Sequence, residues 1–420
     1  MSLLFLLSSI LAIEGYPVIL DITTTSDWTE LHLENVSFHY QGDTVLLGRN
    51  EEFRYGLLSI QKKDLDTSRT RVQFFLFLPK DLPPFLEFFG KKGNLGQTNV
   101  TLLGEEKEVI AHFTYQEESK KFSLSKDSFR NLSLQSFSLP KKTLPFPPLV
   151  LAFYCLWYGD NWFDQGKKRV AHQPLLGFYS SQDHAVLKRH ILWAKEAKLD
   201  GFIISWWGKD SPFDQNLKIF LPICESLDFK FTLYLETTEV LEEDLQYLET
   251  TYARSPAFLK INGRPVIFIF VRVIQEISLP KLREIKSPFD FIIYGYAPSH
   301  LSGFLGFHEY YPWYNNLAEA KKRYLLAGEI ARIKNKLYAA PVIPGYDDRN
   351  YRQPGKLTDR EKGNFYKKNW EAVLTSDPDW ILITSFNEWF EGTEIEPSRE
   401  FGDFYLKLTA HYAKLFKKRK

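Results

Sequence analysis

From Leu149 onward the chain alternates between two kinds of segment. Short apolar runs at Leu149–Tyr154, Gly201–Ser205, Lys230–Leu235, Pro265–Phe270, Phe291–Tyr294, Leu305–Tyr310, Tyr338–Val342 and Trp380–Ser385 are separated by longer helical stretches. Asp183 to Lys198, with Asp183 as N-cap, and Leu317 to Lys336 are two of these stretches. Eight strands alternating with helices fit a (β/α)₈ TIM barrel. A doubly wound sheet is the alternative, but no glycine-rich phosphate loop follows an early strand.

The barrel leaves the first third of the chain to a second domain. Residues 16–145 read as a smaller β-rich accessory domain of sandwich type. Short β-rich runs occur at Tyr16–Leu20, Glu30–Leu33, Val72–Leu78, Asn99–Leu103, Val109–Tyr115 and Leu132–Phe137. Turn clusters at Gln41-Gly42-Asp43 and Pro79-Lys80-Asp81 separate them. Pro145-Phe146-Pro147-Pro148 marks the boundary, since consecutive prolines stop both helix and sheet, and residues 146–420 are assigned to the barrel. Within residues 1–15, the apolar run Leu3–Ile13 reads either as a signal-peptide core or as a first buried strand. The expectation is export, periplasmic or extracellular, over a cytoplasmic location. No other stretch is apolar and long enough to cross a bilayer.

Composition narrows the partners. The 53 Lys and Arg against 52 Asp and Glu leave a net charge of +1, which offers no footprint for nucleic acid and no basic field for a membrane surface. The terminal Lys417-Lys418-Arg419-Lys420 cluster reads as a solvated helix end. Aromatic residues make up 16% of the chain, enough to line a sugar cleft by stacking as well as to fill a core. The two cysteines, Cys155 and Cys224, make no disulfide framework and read as buried thiols. No Cys/His cluster has zinc spacing, so no metal and no cofactor is expected.

Catalytic groups of a barrel project from the C-terminal ends of its strands. The last run leads through Thr384-Ser385-Phe386 into Asn387-Glu388-Trp389-Phe390-Glu391-Gly392-Thr393-Glu394-Ile395-Glu396-Pro397. Two carboxylates beside aromatics at a barrel mouth suit glycoside cleavage. One protonates the leaving oxygen, and the other acts as base or nucleophile. By spacing alone, two glutamates three apart more often lie on a solvated helix face; the strand-end position and the flanking Trp389 favour catalysis. Metal binding by Glu388, Glu391, Glu394 and Glu396 is a rival use, with no histidine nearby in sequence.

The run Thr384 to Pro397 resembles the signature of glycoside hydrolase family 99, the endo-α-1,2-mannosidases and mannanases. Upstream, Trp157-Tyr158-Gly159, Gly177-Phe178-Tyr179-Ser180-Ser181-Gln182-Asp183, His190 with Ala194, and Asp200 to Gly208 are similar to that family's motifs. So are Pro341 to Tyr346 and Phe401 to Leu406. The resemblance spans residues 149–415 and implies a retaining endo-acting α-mannoside hydrolase on an oligo- or polysaccharide. It implies Glu391 as general acid/base and Glu388 as the base that takes a proton from the sugar 2-hydroxyl. The 2-oxygen then attacks the anomeric carbon, and water opens the resulting 1,2-anhydro sugar. Glu391 is expected to titrate high, through aromatic burial and the charge of Glu388.

Candidate substrate-binding residues are Trp157, Tyr158, Trp206, Trp207, Glu236, Tyr311, Tyr346, Asn387 and Trp389, all at strand ends. Of Trp206 and Trp207, one is expected to face the core. The chain departs from the family pattern at Phe390, where the family usually has His, and at Gln173, where it often has Trp after a histidine. Two other classes stay open at this point. One is a glycosyltransferase-like polysaccharide-processing protein, and the other is a non-catalytic glycan-binding barrel.

Overall fold

The computed structural model describes residues 12–419 except 35, 37, 47–48, 55–56, 63–69, 95, 144–145, 237–239, 278, 296–297 and 311–316. The chain divides into two compact units. One is Met1–Pro145 with Tyr296–Ser302 and Lys322–Lys336, and the other is Phe146–Gly295 with Gly303–Lys321 and Leu337–Lys420.

The first unit is built on two antiparallel sheets. Ala12–Thr24 lies at the centre of one, paired with Thr70–Pro79, Thr98–Gly104 and Gln135–Ser138. The other runs from Ser119–Ser125 through Phe85–Lys92 and Trp28–Glu34 to Leu57–Lys62 and Arg49–Arg54. Burial alternates strictly along Thr98–Gly104, as a strand with one covered face requires. Val18, Leu20, Leu76 and Leu102 of the first sheet and Leu31 and Phe88 of the second line one small apolar cavity, so the two inner faces meet as in a sandwich. Gln41-Gly42-Asp43 is not a turn. It lies inside the strand His39–Leu46, where the register shifts between Tyr40 and Gly42, and the glycine marks a bulge. The run expected at Leu132–Phe137 begins as a strand only at Gln135. Of the apolar run Leu3–Ile13, residues 3–11 lie outside the described residues, and Ala12 and Ile13 open the first strand.

The second unit is a closed parallel barrel. Its strands are β1 (Leu149–Tyr154), β2 (Gly201–Trp206), β3 (Lys230–Leu235), β4 (Arg264–Ile269), β5 (Asp290–Tyr294), β6 (Gly306–His308), β7 (Leu337–Val342) and β8 (Trp380–Ile383). Each pairs in parallel with the next, and β8 pairs with β1. All eight runs read from the sequence are therefore barrel strands. They read as continuous apolar runs because helices cover one face and the barrel interior the other. Inward positions two apart, such as Leu151 and Phe153, Val266 and Phe268, and Trp380 and Leu382, fill the interior as one buried cluster.

The helices fit their sequence signals. Asp183 caps the helix His184–Glu196 by accepting from the Ala185 and Val186 amides at 2.8 and 3.3 Å. The run from Leu317 is helical to Ile333. The alternation has one exception among the described residues: the β5–β6 connection carries only a 3₁₀ turn, Pro298–Leu301. Strand β6 is also shorter than the run Leu305–Tyr310, which leaves Tyr310 beyond its C-terminal end.

Candidate active site

The segment after β8 forms turns and not a helix, so Glu388 and Glu391 do not sit on a solvated helix face. Its shape is fixed by its own side chains. Ser385 Oγ accepts from the Glu388 amide at 2.7 Å and shares a 2.9 Å hydrogen bond with Thr393 Oγ1. Asn387 clamps the loop to the end of β1, accepting from the Cys155 amide at 2.7 Å and donating to the Cys155 carbonyl at 3.0 Å. Tyr158 donates to the Asn387 carbonyl at 2.6 Å and accepts from the Trp389 amide at 2.9 Å. Trp389 Nε1 donates to Glu396 at 2.9 Å.

These contacts correct several expectations. Tyr158, Asn387 and Trp389 are buried and support the loop from behind; they do not line the cleft. Trp206 is likewise buried, because strand alternation sends it outward while Ser205 and Trp207 face the mouth. Its Nε1 donates to Asp214 at 3.0 Å, and Asp214 also accepts from Tyr252 and Tyr247 at 2.6 and 2.8 Å. Tyr346 is buried too. Its hydroxyl donates to Asp348 at 2.7 Å and accepts from Arg352 at 2.8 Å, yet it stays at the site, because its side chain also hydrogen-bonds with Glu391. Tyr311 lies outside the described residues.

What faces the cleft is a different selection. Trp157, Trp207, Glu236, Glu388 and Glu391 line a cavity of about 510 Å³ at the C-terminal mouth. Sequence reasoning missed Tyr234, Phe270, Tyr310, Tyr351, Arg169, Arg272 and Arg352, which line it as well. Phe270, Tyr310 and Arg272 stand at or just past strand ends, a position that could have flagged them. Arg169, Tyr351 and Arg352 come from long loops with no periodic signal.

The electrostatics of the site follow from burial. Glu388 is pushed well above the usual carboxylate range by burial and then by the charge of Glu391. The Cys155 thiol, 3.2 Å from Glu388 Oε2, opposes this by donating to it. Cys155 is thus more than a filler thiol. Burial, and then the charge of Glu388, keeps it protonated as a donor. Glu391 is also raised by burial, while Arg352, 2.9 Å away, pulls it down. Burial pushes Glu236 to about 7, against a hydrogen bond from Ser205 and the charge of Arg272.

The other two acids of the motif are engaged away from the cleft. Glu394 pairs with Arg360 at 2.7 Å and His172 at 2.8 Å. Glu396 takes Tyr179 at 2.7 Å and His190 at 3.1 Å. The four acids do not converge on one point, and the described residues hold no cluster of three or more metal-ligating side chains. No helix among the described residues is long and apolar enough to cross a membrane.

The model of the family "Glycosyl hydrolase family 99" matches residues 168–280 and 299–418. The chain is 25% identical over 342 residues to the glycoprotein endo-alpha-1,2-mannosidase of Mus musculus, covering 64% of this chain and 73% of that protein. It is 24% identical over 375 residues to the protein of the same name from Xenopus laevis, covering 70% and 82%. Among solved structures, the GH99 endo-alpha-mannosidase from Bacteroides thetaiotaomicron, in complex with bis-tris-propane, superposes with a TM-score of 0.57 at 27% identity. That match covers 64% of this chain and 97% of that one.

Proposed function

The chain belongs to glycosyl hydrolase family 99, and on that premise we propose that it is a retaining, endo-acting α-mannoside hydrolase. The observation that carries this reading is that Glu388 and Glu391 line one aromatic cleft at the barrel mouth. Trp157 and Trp207 give the cleft aromatic walls of the kind that pack against the apolar faces of sugars. Trp157 Nε1 and the Tyr234 hydroxyl are buried in the cleft wall without a hydrogen-bond partner among the described residues.

Glu391 protonates the glycosidic oxygen, and Glu388 takes the proton of the 2-hydroxyl as that oxygen attacks the anomeric carbon. The bond to the leaving sugar breaks, and a 1,2-anhydro sugar forms. Water opens it at the anomeric carbon, giving its proton to Glu391, while Glu388 returns its proton to the 2-oxygen. Two inversions leave net retention.

Burial favours a retained proton on the pair, because two carboxylates in one buried site resist ionising together. In the free cleft Arg352 favours the charge on Glu391. A bound sugar donates its 2-hydroxyl to Glu388 and stabilises the charge there instead, which moves the proton to Glu391, where the acid step needs it.

The test is incubation with α-1,2-linked manno-oligosaccharides and gluco-mannosides, with NMR following the anomer first released. Internal cleavage with retention is expected. Inversion, or cleavage of a 2-deoxy substrate at a rate near that of its parent, refutes the mechanism.

A further inference from the structure

Three arginines line the cleft with the three glutamates, and among the described residues one of them, Arg352, forms ion pairs with acids. Arg352 pairs with Glu391 at 2.9 Å and with Asp348 at 2.8 Å. Arg169 and Arg272 form no ion pair among the described residues, although both line the cleft. Each is held by rings. The Arg169 guanidinium lies 4.7 Å from the Tyr351 centroid and 4.9 Å from that of Phe390. Those two rings stack at 4.9 Å and 13°. Arg272 lies 4.7 Å from Trp207 and 5.6 Å from Phe270. A cation–π contact uses none of the guanidinium's N–H donors, so those not bonded elsewhere stay available to a ligand. Arg169 spends one donor on the Asn161 carbonyl at 3.2 Å, and the Arg272 side chain makes no hydrogen bond among the described residues.

Position 390 is where the chain departs from its family, and it is Phe390 that holds Arg169. Histidine there would supply a polar ring; phenylalanine completes a platform for a cation. The two arginines also enter from different arcs of the mouth. Arg169 stands with the loops that follow β1, β7 and β8, and Arg272 with those that follow β2 and β4.

We propose that the cleft takes an anionic glycan, with a carboxylate- or phosphate-bearing sugar docked on the ring-held guanidinium of Arg169 or Arg272 beside the scissile α-mannoside. Arg352 is answered by Asp348 and Glu391, whereas Arg169 and Arg272 have no ion-pair partner among the described residues. A neutral glycan brings no anion to either guanidinium. A uronate or a phosphomonoester matches a guanidinium edge with two parallel hydrogen bonds. This inference rests on the hydrolase reading above.

The experiment compares three α-mannosides that differ only in the sugar next to the cleaved residue: glucosyl, glucuronosyl and 6-phosphoglucosyl. kcat/KM is measured on the full chain at low and moderate salt, and dissociation constants are measured with Glu391→Gln. An acidic substrate is expected to be favoured by about tenfold or more at low salt, and by less at about 0.3 M salt. Preference for glucuronosyl assigns a uronate, and preference for 6-phosphoglucosyl assigns a phosphate. In Arg169→Gln and Arg272→Gln, the acidic-to-neutral ratio falls toward one in at least one variant. The salt dependence of the unaltered protein gives the same answer should a variant fold poorly. Equal kcat/KM for neutral and acidic substrates, or a preference that survives both substitutions, overturns the proposal and leaves the hydrolase reading standing. Cleavage of no α-mannoside, acidic or neutral, removes both.

Discussion

Glu391→Gln and Glu388→Gln separate the two roles assigned to the pair. The Glu391→Gln variant keeps the size of the side chain and an oxygen for Arg352, whose Nη2 lies 2.9 Å from Glu391 Oε1, so binding should change little. What it loses is the proton. An alkoxide leaving group needs that proton, and general acid assistance is worth about 10² to 10⁴ in rate, or roughly 3 to 5 kcal/mol of barrier. An aryl mannoside with an acidic phenol leaves without help and should lose far less. The amide in Glu388→Gln cannot accept the 2-hydroxyl proton, a step both substrates require, so that variant should lower both alike. The assay is kcat/KM for a natural α-1,2-linked oligosaccharide and for the aryl glycoside, in the unaltered protein and both variants. Equal losses on the two substrates in Glu391→Gln refute its role as acid. Activity near that of the unaltered protein in both variants refutes the site itself.

Two further outcomes follow from the charges around the pair. Arg352 favours the charged form of both Glu388 and Glu391, so Arg352→Gln should raise both and move both limbs of the pH profile of kcat/KM to higher pH; limbs that stay put or move down contradict this. Glu236 holds its proton up to about 7 in the fold against 4.5 as its ordinary value. Folding therefore favours its protonated form, and stability falls as pH rises from about 4.5 to about 7, then levels. Glu236 is partly open to the cleft, so the loss is on the order of 1–3 kcal/mol. Glu236→Gln should lack it, and urea midpoints of the two proteins should diverge across that window; parallel midpoints count against the raised value.

The barrel was legible because its signal is local. Every one of the eight apolar runs is a strand, since a strand covered on both faces must be apolar throughout and a helix between strands must carry its own periodicity. The Glu388 and Glu391 pair was legible for a related reason: it follows the last strand, and strand ends in a closed parallel barrel share one mouth. Which neighbours face that mouth was not legible. Trp206 and Trp207 are adjacent and chemically alike, yet one is bound to Asp214 behind the barrel wall and the other lines the cleft. Asn387, Tyr158 and Trp389 belong to the motif but brace its loop. Arg169, Arg272 and Arg352, far apart in sequence, meet around the glutamates only when the barrel closes. Sequence spacing thus determined which segments are strands and where they end. Closure of the barrel and the path of its long loops decided which side chains share the cleft, because that depends on contacts between residues distant along the chain.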